Sequence, residues 1–376
     1  MPKLSVCIPV EPDQAAPSFL VDTLLARSGV DLEVIVSLFE SSQDSAAALY
    51  EKAASDPRLT ILPPAPANIT AAQLWIGTVN AAKGDWVTIV APDDMLDPDL
   101  AKLIAHVEET RPTADAIGWN SFQISPTASR GTKTAVAIPV QHKVSEIDKA
   151  SMLDAFFNWT AAPQTPKVPF GLFHGALKRS LVESILSASA PTSWLTPVPR
   201  FEWTARTVLF ANELALSHRP MSATSTTPYR PVAVRSALEG FPLDGSIGLT
   251  AAIAEIQARV LSELGSEWGG FNENFVRSCS VDCILEHDPA VFEQRCQGYH
   301  AALQRMPGGE QLLPYFQPKY YPEQPDDRRR GLVGQTLLVD RFIGNAQTAQ
   351  EFYSVVSSIL APIFVITDQK APAKEA

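Results

Sequence analysis

The chain has 376 residues, 45% of them hydrophobic and 19% charged, with a formal net charge of -11. That composition excludes a disordered polypeptide and broad binding to nucleic-acid phosphates. No apolar run approaches the ~20 residues of a bilayer-spanning helix, and Met1-Pro2-Lys3-Leu4 runs straight into strand-like sequence without a signal-peptide core. The expectation is a cytoplasmic protein of two domains, or of one large domain with an appendage, with peripheral membrane contact left open.

Leu4 to Val10 alternates and is β-branched, a first strand stopped by Pro9 and Pro12. Helical spacing follows from Ser18 to Ala26, then a buried strand from Glu33 to Leu38. Ser41 to Asp44 opens a helix carrying Ala46, Ala47, Leu49 and Tyr50, and Arg58 to Leu62 forms a third strand ended by Pro63-Pro64. Thr70 caps a helix through Ala82, with Gly84 as its C-terminal stop. The order β-α-β-α-β-α-β specifies a mostly parallel sheet with right-handed crossovers.

Trp86 to Val90 is the next strand, and an abrupt acidic turn, Pro92-Asp93-Asp94, follows it. Asp97 is placed as N-cap and Pro98 as first residue of another helix. In an open α/β sheet, ligands bind at the carboxyl ends of the strands. Adjacent carboxylates there repel each other unless a cation or hydrogen-bond donors compensate them. A solvated turn is the plain alternative.

The stretches Leu4–Val10, Glu33–Asp44, Asn80–Ala82 with Gly84, and Val87–Leu100 resemble, in order and spacing, the nucleotide-binding half of family 2 glycosyltransferases over about the first 120 residues. No G-x-G-x-x-G follows the first strand, as a Rossmann dehydrogenase would require. The resemblance implies a GT-A fold, an α/β architecture with a mostly parallel sheet flanked by helices. It also implies a nucleotide-diphosphate sugar donor, a divalent cation (Mn2+ or Mg2+), and inverting transfer to a glycan or lipid-linked acceptor, by family habit in cell-envelope polysaccharide synthesis. The donor-binding positions it implies are Pro9, Val10, Glu11, Leu38, Glu40 and Asp93, with Asp94 as metal ligand and Asp93 near the ribose. Leu38 stands where the family usually has an Asp that reads the base, so either Glu40 substitutes or the donor is not a uridine nucleotide.

A strand from Ile117 to Phe122 continues the sheet, Ser125 to Thr134 reads as a loop, and Glu146 to Trp159 has helical periodicity. By the resemblance, Phe170 to Arg179 lies near the acceptor, which makes His174 and Gly175 acceptor-site candidates; a hydrogen-bonded core histidine is the competing reading of His174. The segment Pro197 to Leu209 matches the place of the family's catalytic base, with Trp203 as a further acceptor contact. Counting back from Arg206 puts Arg200 where that base belongs. Glu202, the one acid in the segment, is then the candidate base, or else the ion-pair partner of Arg200 or Arg206 at i,i+4 on a helix. The resemblance also implies His218 as a candidate metal ligand and Arg219 as a candidate phosphate contact.

The expected domains are 1–235, GT-A-like with a nucleotide-binding half (1–122) and an acceptor half (123–235), and 236–376, mainly α-helical. Helices are expected at 249–264, 275–286, 290–303 and 346–360. They would serve acceptor binding, homo-oligomer contacts or a membrane surface. Cys279, Cys283 and His287, with Cys296 and His300, repeat at four-residue spacing and raise a zinc site against simple burial. The competing function is a GT-A-like module that binds nucleotide sugar or glycan without turnover.

Overall fold

The computed structural model describes residues 2–12, 14–27, 31–39, 46–126, 135–160, 168–226, 229–232, 236–322 and 329–368. Chain order begins β1 (Leu4–Pro9), α1 (Ser18–Leu25), β2 (Leu32–Ser37), α2 (Ala47–Ser55), β3 (Leu59–Ile61), α3 (Ala71–Asn80) and β4 (Trp86–Ile89). It continues with β5 (Met95–Leu96), α4 (Leu100–Thr110), β6 (Ala116–Trp119), β7 (Phe122–Ile124), β8 (Ala135–Pro139), β9 (Val144–Ile147), α5 (Lys149–Phe157) and β10 (Gly175–Lys178). Then come α6 (Arg179–Ser187), α7 (Pro199–Phe210), β11 (Leu214–Ser217), β12 (Ser222–Ser225), α8 (Leu249–Glu263), α9 (Glu273–Ile284), α10 (Pro289–Arg305) and α11 (Gly309–Leu312). The last elements are β13 (Gly331–Val333), β14 (Thr336–Asp340), α12 (Ala349–Val356) and α13 (Phe364–Thr367).

An eight-stranded sheet in the order β3-β2-β1-β4-β10-β6-β11-β9 forms the centre. The first four are parallel, β6 and β11 share their direction, and β10 and β9 are reversed. Both faces are covered, because successive side chains of a strand point to opposite sides. Leu4, Val6 and Ile8 pack with α1, α4 and α12, whereas Cys7, Ile35 and Val87 pack with α3, α7 and α8. Residues on either side of position 236 therefore share the same two cores. Among the described residues no helix is long and apolar enough to cross a membrane.

Local chemistry explains both the agreements and the shifts. Thr70 and Gln73 form a full capping box at α3, as the sequence predicts. Gly84 has a different role from the expected helix stop. A Cβ there would lie 2.7 Å from the Ser5 amide nitrogen, so glycine permits the close approach of β4 to β1. Asp97 is not an N-cap. It is buried, and its Oδ2 accepts hydrogen bonds from Arg219 (2.7 Å) and the Tyr353 hydroxyl (2.8 Å). The expected helix from Glu146 splits, because Val144–Ile147 pairs with β11 as a strand and Asp148 then caps α5. The helix opening at Ser41 to Asp44 lies outside the described residues. In the C-terminal region the helices stand near their expected places, joined by the unexpected β13–β14 hairpin, which pairs with β8 in a separate three-stranded sheet.

Candidate functional site

The turn after β4 is gripped from three sides. The other three-stranded sheet, β5-β12-β7, lies across it and brings the end of β12 to the two carboxylates. Asp94 is 1% exposed. Its Oδ2 lies 2.8 Å from His174 Nε2 and accepts from the Thr224 hydroxyl (3.0 Å), while Oδ1 accepts from the Ser225 amide (2.7 Å). Gln350 of α12 donates to the main-chain oxygens of Pro92 and Asp94, both at 3.1 Å. Asp93 is exposed and lines a cleft with Ile124, Ser225 and Gln350. Reduced hydration within the cleft walls, and then the Asp94 charge, push its carboxyl above the usual range, against a Ser225 hydrogen bond and the His174 ring.

His174 is buried and sits just before β10 with φ of 55°, a left-handed conformation that histidine adopts more readily than most residues. A bridge between Ile89 and Phe173 and the His174 N–H to Ile89 oxygen bond (3.3 Å) hold it beside β4. Among the described residues its Nδ1 is buried without a hydrogen-bond partner. The ring thus serves Asp94 as a hydrogen-bonded interior histidine. Gly175 is a buried sheet position opposite Gly118, where a Cβ would meet the Gly171 oxygen at 2.4 Å. Trp203 is fully buried at 4.6 Å from the Trp194 ring. Both positions are buried in the interior.

Glu202 is fully buried as well. Its Oε1 accepts from the Trp194 amide (2.8 Å) and Arg206 Nη2 (2.7 Å), and its Oε2 from Arg259 Nη2 (2.9 Å). Glu255 and Glu263 complete this ion network between α7 and α8. The i,i+4 alternative describes Glu202, and the structure does not bring it to the cleft. Arg200, by contrast, is exposed at the start of α7 and feels the Asp94 charge.

Pro9, Val10 and Glu11 end β1 at the carboxyl edge, with the Val10 amide on the Ser37 oxygen (2.9 Å) and the Glu11 amide on Gln14 Oε1 (2.8 Å). Leu38 is fully buried, and Glu40 lies outside the described residues. His218 bonds Ser145 (2.9 Å) at the β9 edge, and its pKa is lowered by burial and then by Lys143. It is not joined to Asp94 by any described contact. Cys279 and Cys283 are buried, while His287 and His300 are exposed. Among the described residues no group of three or more His, Cys, Asp or Glu is arranged to hold a metal ion. The acidic turn itself fits a cation that keeps substrate oxygens as most of its ligands. Asp93 is then the open carboxylate, since both Asp94 oxygens are already engaged. Thr224 and Ser225 had no sequence signal beyond small polar residues at a strand end, and Gln350 none beyond a polar residue in the first turn of a helix.

A mostly parallel sheet with a reversed strand beside β4 and an acidic turn at its carboxyl edge is a GT-A-like fold. No protein-family model and no curated protein matches the chain. Among solved structures, S. aureus TarS 1-349 matches with a TM-score of 0.50 at 14% identity, over 82% of this chain and 83% of that one. TarS 1-349 in complex with UDP-GlcNAc matches at 0.49 and 16%, over 82% and 83%. The mannosyltransferase PcManGT from Pyrobaculum calidifontis, in complex with GDP-Man and Mn2+, matches at 0.41 and 13%, over 84% and 79%. The likeness extends to fold alone.

Proposed function

We propose that the chain is a sugar transferase of the family 2 kind, moving a sugar from a nucleotide-diphosphate donor to a hydroxyl of a glycan or lipid-linked acceptor with inversion. The observation that carries this reading is the Asp93-Asp94 turn at the carboxyl end of β4, one carboxylate clamped and the other open to a cleft. A divalent cation, Mn2+ or Mg2+, would be held by Asp93 and would offset charge on the leaving diphosphate. Asp94 acts by fixing the turn against His174, Thr224 and Ser225, and Pro9 to Glu11 border the donor side. Residues 1–235 form the transferase unit and 236–376 its C-terminal region, working at the cytoplasmic side of a membrane in cell-envelope glycan synthesis, with the C-terminal helices available for pairing two copies.

A second reading, a GT-A-like module that binds nucleotide sugar without turnover, is favoured by Glu202. Its carboxylate is enclosed by two arginines, and Arg200 stands where the resemblance puts the base. Calorimetry with UDP, GDP and CDP, with and without Mn2+, tests both. We expect one nucleotide to bind, more tightly with Mn2+ in the wild type but not in Asp93→Asn. If no nucleotide binds, both readings fall. Tight binding with no sugar transfer or donor hydrolysis selects the second.

A further inference from the structure

Two thiols meet away from the acidic turn, between α9 and α10. A short connection joins these helices, which makes them antiparallel neighbours. Their register is pinned beside the cysteines. Arg295 Nη1 donates to the Asp282 main-chain oxygen (2.8 Å) and lies 3.7 Å from the Asp282 carboxylate, and Nη2 donates to Glu286 (3.2 Å). The Tyr299 hydroxyl donates to Asp282 as well. Cys283 follows Asp282 and Cys296 follows Arg295, and the two side chains hydrogen-bond each other across the helix pair.

The pair is asymmetric. Cys283 is fully buried, whereas Cys296 is half-buried at the rim of the same core. Burial raises the Cys296 pKa, but the Cys283 S–H and the Arg295 charge pull it back toward the thiolate. At Cys283 burial dominates and the Cys296 charge adds to it, so that thiol stays protonated. An accessible sulfur with a proton donor and a guanidinium beside it is the one that meets a reagent first. The sulfur behind it is already in place to resolve the product.

We propose that Cys296 and Cys283 form a redox modification site that closes to a disulfide when the protein meets a peroxide. The Cys296 thiolate attacks one peroxide oxygen, the O–O bond breaks, and the other oxygen leaves as water with the thiol's proton. Cys296 is then a sulfenic acid. Cys283 Sγ attacks Cys296 Sγ, the S–OH bond breaks, and the hydroxyl leaves as a second water with the Cys283 proton. The two thiols lose two electrons in all, and one hydrogen peroxide is reduced to two waters. Burial makes the closure slow. The new bond staples the last turn of α9 to α10, and a thiol reductant reverses it. Because the pair lies beyond position 236, this chemistry is independent of the acidic turn and of the transferase reading.

The test is mass spectrometry on the folded full chain, freed of reductant and held in millimolar hydrogen peroxide, with circular dichroism to show that it stays folded. The intact mass should fall by two hydrogens, and a reductant should restore it. After alkylation and digestion, fragmentation of the linked peptides should place the bond between Cys283 and Cys296, with Cys7 and Cys279 alkylated. Cys283→Ser should stop at a sulfenic acid on Cys296, trapped by dimedone, and Cys296→Ser should form no disulfide. If a variant fails to fold, the wild-type peptide map decides alone. A bond through Cys279, closure seen only in urea, or two alkylatable thiols after prolonged exposure overturns the proposal.

Discussion

His174 Nε2 and Asp94 Oδ2 lie 2.8 Å apart although 80 residues separate them in sequence. The pair joins the turn after β4 to the loop before β10, and Thr224 and Ser225 extend the clasp to β12. Asp94→Ala strands the buried His174 ring and two half-buried donors, the Thr224 hydroxyl and the Ser225 amide. Leaving buried polar groups unpaired is costly, so we expect a loss of about 3 kcal/mol in urea unfolding, with Asp94→Asn milder. His174→Asn, which tolerates the left-handed backbone, should cost less than His174→Val.

Glu202 sits between two guanidinium groups and has no exposed surface. Burial opposes the Arg259 charge, but its hydrogen bonding to Glu202 together with the negative charges of Glu202, Glu255 and Glu263 outweighs that and raises its pKa. Removing one partner of a buried ion pair typically costs about 3–5 kcal/mol. Glu202→Gln should therefore lower thermal stability sharply while leaving any transfer activity per folded molecule unchanged. Lost activity at unchanged stability would return the role of base to Glu202.

The raised pKa of Asp93 gives a sign to pH dependence. The folded protein binds this proton more tightly than the unfolded chain, so Asp93 favours folding below its ordinary carboxylate range. That contribution disappears as pH rises through the raised value. A cation competes with the same proton. Mn2+ affinity should therefore decline, as pH falls, at a higher pH than an ordinary carboxylate at ~4 would give, and Asp93→Asn should abolish the dependence. Calorimetry across pH measures both.

All four cysteines are free, and burial raises the pKa of each thiol. Thiols so placed are poor nucleophiles. Native protein should label slowly with a disulfide reagent, Cys296 first because it alone is partly exposed, and all four should react on unfolding. A fast-reacting native thiol would contradict this packing.

Strand identity was legible where burial on both faces writes a continuous apolar run, as in Trp86–Ile89, and where capping is local, as at Thr70. The β9 strand was hidden because Val144–Ile147 is partly exposed and runs directly into a real helix. Asp97 carries every local mark of an N-cap and its Oδ1 accepts from the Asp99 amide, yet α4 starts after Asp99, and Arg219 and Tyr353, more than 120 residues away, hold its Oδ2. The acidic turn was evident in the sequence as a place. Which carboxylate is open depends on Thr224, Ser225 and His174, whose approach only the sheet topology determines. Glu202 shows the same limit, since its partner Arg259 lies on a helix 57 residues further on.

The pairing of β8 with β14 joins segments about two hundred residues apart. Contacts of that separation close late and slow folding. A nascent chain released before residue 336 carries β8 without this partner, and an unpaired strand edge invites pairing between molecules. Truncation before residue 336 should therefore yield aggregates, because it removes the β14 pairing that covers this edge of β8.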